Sequence, residues 1–302
     1  MKQFHGTTKK RSFFEGWYLK HQNDKTSICL IPAFHVSSAG EKTLSIQVIT
    51  PKYSGSASYP VEQFLVNEEV FSIQIEKNHF SETGIAVDLQ MDDFYVRGSL
   101  AYGPLTRLQS DIMGPFSHIP FLQCNHGVLS MSHTLQGSLD LNGTEVDFSG
   151  GTGYIEKDWG TSFPQSYLWT QGCFPSPEDN RPCSVMLSVA HIPFLGFSFT
   201  GCISAIWYEG REYRLATYKG VRILRYTKTE VILEQKQYQL HVKLLSPAPR
   251  PLKAPAKGDM TRTIHESAAC SVRYLFTANE ETVFDVTLED ASFEYGSSQV
   301  DS

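Results

Sequence analysis

The stretch His126-Gly127-Val128-Leu129-Ser130-Met131-Ser132-His133-Thr134-Leu135-Gln136-Gly137-Ser138-Leu139 decides the fold class. Successive side chains of a strand point to opposite faces. His126, Ser130, Ser132 and Thr134 then share one polar face, opposite Leu129, Met131, His133 and Leu135. A period of two over this length argues for a strand and against a helix. Asn142-Gly143 follows, a pair suited to a tight hairpin turn. The same pattern runs through Ser27–His35, Thr43–Thr50, Val70–Ile75, Ile85–Met91, Tyr95–Ala101, Gln165–Phe174, Ser184–His191, Phe197–Tyr208 and Val231–Leu244, with Glu209-Gly210 as a second hairpin signal. These runs are rich in β-branched and aromatic residues. No apolar 3.6-residue period lasts beyond two or three turns. The chain is therefore predicted to be all-β, with about 18–20 strands in sandwiches or barrels and few or short helices.

Composition fits a soluble chain with a generous core. Charged residues make up 19% and aromatics 12%, against about 25% charged in average domains. Disorder needs the opposite balance. A net charge of −6 argues against nucleic acid as a partner. The segment Met1–Lys20 has no apolar h-region, so no secretory signal is expected. The longest uncharged candidate for a span, Ile192–Tyr208, has 17 residues and is broken by Gly196 and Gly201, short of the roughly 20 that a spanning helix needs. The six cysteines (Cys29, Cys124, Cys173, Cys183, Cys202, Cys270) form no C-x-x-C pair and read as free thiols, placing the protein in the cytoplasm. Gly150-Gly151-Thr152-Gly153 lacks the spacing of a phosphate loop, and no histidine pair has metal-ligand spacing on a helix. No metal and no nucleotide cofactor are expected.

The chain reads as one internal repeat. Trp17-Tyr18-Leu19 and Leu168-Trp169-Thr170 each open a strand, and Trp17 and Trp169 are half the chain apart. A Pro-bearing irregular segment follows in each half, 103–120 and 246–257, and long strands close each half. Domains of 1–160 and 161–302 fit ordinary domain size.

Charge is scarce in one place. Only nine of the 97 residues from Ile112 to Tyr208 are charged, and none of the 28 from Ile112 to Leu139. Such a stretch faces a core or a large apolar ligand. Three of the nine sit together in Tyr154-Ile155-Glu156-Lys157-Asp158-Trp159-Gly160. On a strand, Tyr154, Glu156 and Asp158 share one face, and Ile155, Lys157 and Trp159 the other. Two readings stand. Either buried carboxyls with raised pKa values serve acid catalysis, or the acids form a solvated outer face with Lys157 turned inward. A second cluster, Phe13-Phe14-Glu15-Gly16-Trp17-Tyr18, sets Glu15 among rings, as an acid or as the partner of Arg11 or Lys20.

At these residues the chain resembles the tocopherol cyclases. The resemblance rests on Phe13-Phe14-Glu15-Gly16-Trp17-Tyr18, Met113-Gly114-Pro115-Phe116-Ser117, His126-Gly127-Val128-Leu129-Ser130-Met131-Ser132-His133 and Gly153-Tyr154-Ile155-Glu156-Lys157-Asp158-Trp159-Gly160. It continues through Ser162-Phe163-Pro164, Ala190-His191-Ile192-Pro193, Phe199-Thr200-Gly201 and Arg214-Leu215-Ala216-Thr217-Tyr218. Ala291-Ser292-Phe293-Glu294-Tyr295 departs from the family's small-residue ending. The resemblance implies protonation of the alkene nearest the ring of a prenylated hydroquinone, then capture of the cation by the phenol to close a chromanol, without a cofactor. Distant likeness to carotenoid hydratases implies two lipocalin-like antiparallel barrels side by side.

The residues suit that chemistry. A proton donor to an alkene must be neutral and dry, and rings stabilise a cation that an anion would quench. By position, Asp158 is the first candidate acid, Glu156 the second and Glu15 the third, with His126 orienting or deprotonating the phenol. Trp17, Tyr154, Trp159 and Trp169 are candidates for ring contacts, and Tyr18, Phe116 and His191 complete the expected substrate-binding set. Two alternatives stand beside the cyclase: a non-catalytic carrier of an apolar ligand, and a terpenoid hydratase. An apolar quinol resides in bilayers, so peripheral membrane contact is expected, and the oligomeric state is left open.

Overall fold

The computed structural model describes residues 3–119, 122–194, 196–246, 250–256 and 259–296, with the backbone alone for 250–268. Its strands, numbered in chain order, form two antiparallel sheets. The first runs in space β4 (Ser54–Pro60), β3 (Lys42–Ile49), β2 (Ser27–Val36), β1 (Phe13–Gln22), β12 (Thr152–Gly160), β10 (Cys124–Leu141), β9 (Tyr95–Tyr102), β8 (Gly84–Gln90), β7 (Asn78–Ser81), β6 (Ser72–Ile75) and β5 (Phe64–Asn67), with β11 (Thr144–Asp147) on β10. The second runs β16 (Arg211–Ala216), β15 (Phe197–Tyr208), β14 (Pro182–Phe194), β13 (Tyr167–Pro175), β22 (Glu281–Gly296), β21 (Asp259–Ala278), β19 (Tyr238–Leu244), β18 (Glu230–Gln235) and β17 (Arg222–Tyr226), with β20 (Arg250–Ala256) on β21. Helical structure among the described residues is limited to short 3-10 turns such as Gly114–His118. This is the all-β architecture expected from the alternation, in the lipocalin-like form that the resemblance implies.

The chain divides into two compact units. One comprises Met1–Asp111, Cys124–Phe163 and Ala254–Arg262, the other Ile112–Gln123, Pro164–Lys253 and Thr263–Ser302. Each has its own apolar core. Trp17, Leu19, Ile28, Leu30, Leu129 and Ile155 belong to the first, and Leu168, Val185, Leu187, Val272, Phe276 and Phe293 to the second. Outer strands bury one face only: β8 alternates buried and exposed along Ala86–Gln90. By contrast β1, β2 and β13 are buried on nearly every residue, so both of their faces are covered. Polar side chains on these strands must find partners within the protein.

Both sheets repeat one order: the first strand of each unit lies between the second and the last. Register aligns β1 with β13 one residue away from the tryptophans. Phe14 pairs with Gly160, and Tyr167 with Gly296. Trp17 therefore corresponds to Thr170, and Trp169 to Gly16. A one-residue offset exchanges faces, so Trp17 enters the first core while Trp169 stays out of the second.

Three local expectations are corrected. Val231–Leu244 is two strands, because Gln235 pairs with Tyr238 around a turn that holds Lys236 at φ +54°. A turn made by lysine carries no glycine signal. Residues 250–256, expected to be irregular, form β20. The alternation of β10 is interrupted by register shifts between Val128 and Ser130 and between Ser130 and His133. Ser130 Oγ therefore lies 3.0 Å from His133 Nδ1, although strict alternation places the two on opposite faces.

That bulged segment gives the first core a polar seam. The Tyr102 hydroxyl shares a hydrogen bond of 2.5 Å with His21 Nε2, and its ring lies 4.3 Å from that of His133. His21 pairs in register with Gly153, as does His133 from the other side. Gly153 is needed there, since a Cβ would stand 2.2 Å from His133 Nε2. Burial pushes the His21 and His133 pKa values down from 6.5 to about 3, and that of His35 to about 4. These rings are neutral in the fold. Depressed values confer stability that is present above the ordinary 6.5 and lost as pH falls toward about 3–4. Urea unfolding should show a free energy that declines as pH drops below 6.5, before the carboxylates titrate. His133→Gln should flatten that decline, and a slope unchanged in this variant would contradict the assignment.

Candidate active site

The site is built on the pairing of β1, β12 and β10. On β12, Ile155 belongs to the first core, with Trp159 packed against it. The even-numbered Tyr154, Glu156 and Asp158 take the opposite face, where Tyr18 stands across from Glu156 and His126 across from Asp158. This face is not solvated: Tyr154 is 0% exposed and Glu156 3%. Of the two sequence readings, Lys157 does turn inward, yet Glu156 is buried as well and Asp158 is partly buried.

Three ionisable groups meet there. His126 Nδ1–H donates to Asp158 Oδ1 at 2.8 Å, and His126 Nε2 lies 3.3 Å from Glu156 Oε2. The second contact is an ion pair without hydrogen-bond alignment. The Tyr154 hydroxyl donates to the same Oε2 at 2.5 Å. Burial alone would lower the His126 pKa, but Glu156 and Asp158 together raise it from 6.5 to about 10, so the ring is an imidazolium at neutral pH. Glu156 moves up from 4.5, chiefly because burial penalises its charge, and the attraction of His126 only partly opposes this. His126 faces both carboxyls. Asp158 accepts the closer hydrogen bond and is the less buried of the two, at 24% against 4%. The deeper Glu156 is thereby driven toward its neutral form.

The other face of the same strands is separate. Lys157 Nζ lies 3.0 Å from Glu15 Oε1, with both side chains 0% exposed. Glu15 also accepts from the His5 backbone N–H at 2.7 Å, and Lys157 donates to Gln3 O at 3.0 Å. Lys157 sits over the Trp159 ring at 4.8 Å and that of Trp17 at 5.9 Å. The partners of Glu15 are thus Lys157 and His5 rather than Arg11 or Lys20.

The expected residues fall into three groups. His126, Glu156, Asp158, Tyr154 and Tyr18 share one face. Glu15, Trp17 and Trp159 share the other. Phe116, Trp169 and His191 lie in the second unit. There Phe116 packs near Phe199 and Tyr218, Trp169 is buried, and His191 is exposed at the end of β14. Lys20 was considered only as a partner of Glu15. It is instead buried on the acid face, in register with Tyr154. Its signal was the alternation Gly16, Tyr18, Lys20 along β1. The second unit carries a counterpart pair: Tyr167 donates to Glu294, whose register partner is Trp169.

Ligand atoms of His126, Glu156 and Asp158 all lie within 4.8 Å of one another, the one such metal-capable group among the described residues. No metal was expected from sequence, because these ligands come together across strands rather than along a helix. In the observed geometry the cluster's own contacts are proton-sharing ones.

The fold and cluster define a class: a two-unit, lipocalin-like β protein with a buried carboxyl–imidazolium site. A family model described as tocopherol cyclase-like matches residues 90–297, and the chain belongs to that family. No curated protein sequence matches it. Solved structures similar in fold include an AttH-like protein from Nitrosomonas europaea, 11% identical, TM-score 0.56, covering 95% of this chain and 93% of that one. Kievitone hydratase from Nectria haematococca is 12% identical, with a TM-score of 0.53 and coverage of 98% and 94%. CghA is 9% identical, with a TM-score of 0.59 and coverage of 96% and 90%.

The buried Lys157–Glu15 pair makes a stability prediction. Removing one partner leaves an uncompensated buried charge, so Lys157→Met should cost about 3–5 kcal/mol. Glu15→Gln/Lys157→Met should recover much of that loss in urea titrations. Additive losses in the double variant would show that the two groups are not coupled.

Proposed function

We propose that this protein is a cofactor-independent enzyme that protonates an alkene of a prenylated hydroquinone and closes a chromanol ring. Membership of the tocopherol cyclase-like family supports the reaction class. The observation that carries the reading is Glu156, a buried carboxyl raised toward neutrality beside an imidazolium. A neutral carboxylic acid is a far stronger proton donor to carbon than an imidazolium of pKa about 10. We therefore place Glu156 ahead of Asp158 as the donor and assign Asp158 to hold His126.

Glu156 transfers its proton to the less substituted alkene carbon, leaving a tertiary cation. The phenol oxygen adds to that cation, and the proton it sheds returns to the carboxylate cluster. No atom is gained or lost, so product and substrate are isomers. Tyr18 and Tyr154 share the acid's face and supply the electron-rich rings. Trp17 and Trp159 lie behind the strands and act through Lys157 and Glu15 as support. A cationic His126 orients the phenol oxygen rather than deprotonating it. None of the six cysteines is in a disulfide, which supports a reducing, cytoplasmic setting. No described helix is long and apolar enough to cross a membrane.

The same cluster fits hydration, the reaction for which kievitone hydratase is named, with water replacing the phenol. Incubation with a prenylated hydroquinone separates the outcomes. A product of unchanged mass and altered retention supports cyclisation, and one heavier by a water identifies hydration. Tight binding without conversion at any pH would leave a carrier. Glu156→Gln should lower turnover by about 10²–10⁴-fold. The rate should fall as pH rises through the raised Glu156 value. His126 keeps its charge until about 10, so this limb belongs to Glu156.

A further inference from the structure

The hairpin β14–β15 extends beyond its neighbours. Pairing with β13 ends at Ala190, and pairing with β16 ends at Ile203. From Ile192 to Phe199 the described residues of the two strands pair with each other, and they close through Phe194 opposite Phe197, with Gly196 at φ +88°. Ile192 faces Phe199, and Phe194 faces Phe197, so all four project from one side of the ribbon. His191, Pro193, Ser198 and Thr200 occupy the other side. No charged residue occurs between Arg181 and Glu209.

The apolar side is out of water only in part. Phe197 is 60% exposed, the rings of Phe194 and Phe197 lie 5.6 Å apart, and Phe116 approaches Phe199 at 6.2 Å. Gly201 leaves room for this packing, since a Cβ there would stand 2.8 Å from Ile192 Cδ1. Isolated exposed rings need no explanation, but a one-sided apolar ribbon does.

We infer that the ribbon His191–Thr200 is a membrane-docking element that lays its phenylalanine face into the interface of an anionic lipid surface. Its inner backbone groups are paired across the hairpin and its outer edges are open, which suits the hydrated interface rather than the hydrocarbon core. Aromatic rings favour the interfacial zone. Charge at the ribbon's base is complementary to anionic headgroups, against the net −6 of the chain. Lys219 is exposed next to Tyr218, which packs on Phe116. Lys228 is exposed and lies over the Tyr295 ring at 5.8 Å. Tyr226 lies near Ser166, whose carbonyl accepts from His191 N. The ribbon is also small. A stable protein interface buries about 800 Å² on each side, and three phenylalanines of which one is well exposed fall short of that. The inference holds whichever reaction the acid cluster performs.

The test is sedimentation of the full-length protein with vesicles of phosphatidylcholine containing about a third phosphatidylserine. The wild type should co-sediment, and Phe194→Ser/Phe197→Ser should bind about tenfold or more weakly. Lys219→Glu/Lys228→Glu should weaken binding to these vesicles but not to pure phosphatidylcholine. Phe197→Trp should be quenched by brominated acyl chains, which reports insertion even where a serine variant misfolds. Turnover of detergent-dispersed substrate should be unchanged in Phe194→Ser/Phe197→Ser, so failure here is distinct from failure of the proposed reaction. No quenching, undiminished sedimentation of the serine variant, or concentration-dependent self-association abolished by the same substitutions would overturn the proposal.

Discussion

The antiparallel pairing of β1 with β12 sets every other feature of the site. It carries charged groups on both faces, with Glu15, Lys157 and Glu156 withdrawn from water and Asp158 partly so. Alternation sends Lys157 to the inner face, where Glu15 neutralises it at 3.0 Å. The same alternation denies Lys157 to Glu156, its neighbour in sequence on the other side of the sheet. As folded, only His126 reaches the acid face from β10, and it must serve two carboxyls. The upward shift of the Glu156 pKa follows first from its desolvation in this strand pairing, which the attraction of His126 only partly opposes.

Repetition of the strand order shows how the two units are related. Asp158-Trp159-Gly160 ends β12, and Glu294-Tyr295-Gly296 ends β22, in matching register with the first strand of each unit. Each unit also has a tyrosine donating to a buried carboxyl on this strand pair. They differ in what surrounds the carboxyl: His126 and a second acid in the first, Trp169 in the second. By this register Glu294 corresponds to Asp158, so the two tyrosine–carboxyl pairs occupy different positions of a shared scaffold. In the first, the carboxyl is joined by an imidazolium.

Much of the fold was legible in the sequence because burial on one face of a strand forces alternation. Phe197–Tyr208 is β15 residue for residue. The turns at Asn142-Gly143 and Glu209-Gly210 have all four residues at positive φ, as such hairpins require. What failed had no side-chain signature. The bulges of β10 are backbone events, and Lys236 makes a turn without glycine. For the site, alternation correctly grouped Tyr154, Glu156 and Asp158. Pairing His126 with them required knowing that β10 lies beside β12, a long-range fact that no local pattern contains. The tryptophans misled for a related reason: Trp17 and Trp159 are as aromatic as the site demands, but parity puts them behind it.

Gly153 opens the segment that contains the acids, and its neighbour across the sheet is the His133 ring, close enough to exclude any β-carbon. The glycine is therefore tied to a histidine 20 residues earlier in the chain rather than to the acids that follow it. In descendants of this sequence the two positions form one heritable unit. A side chain at 153 requires the His133 ring to move or to be replaced by something smaller, so a change at either position alters what the other can hold.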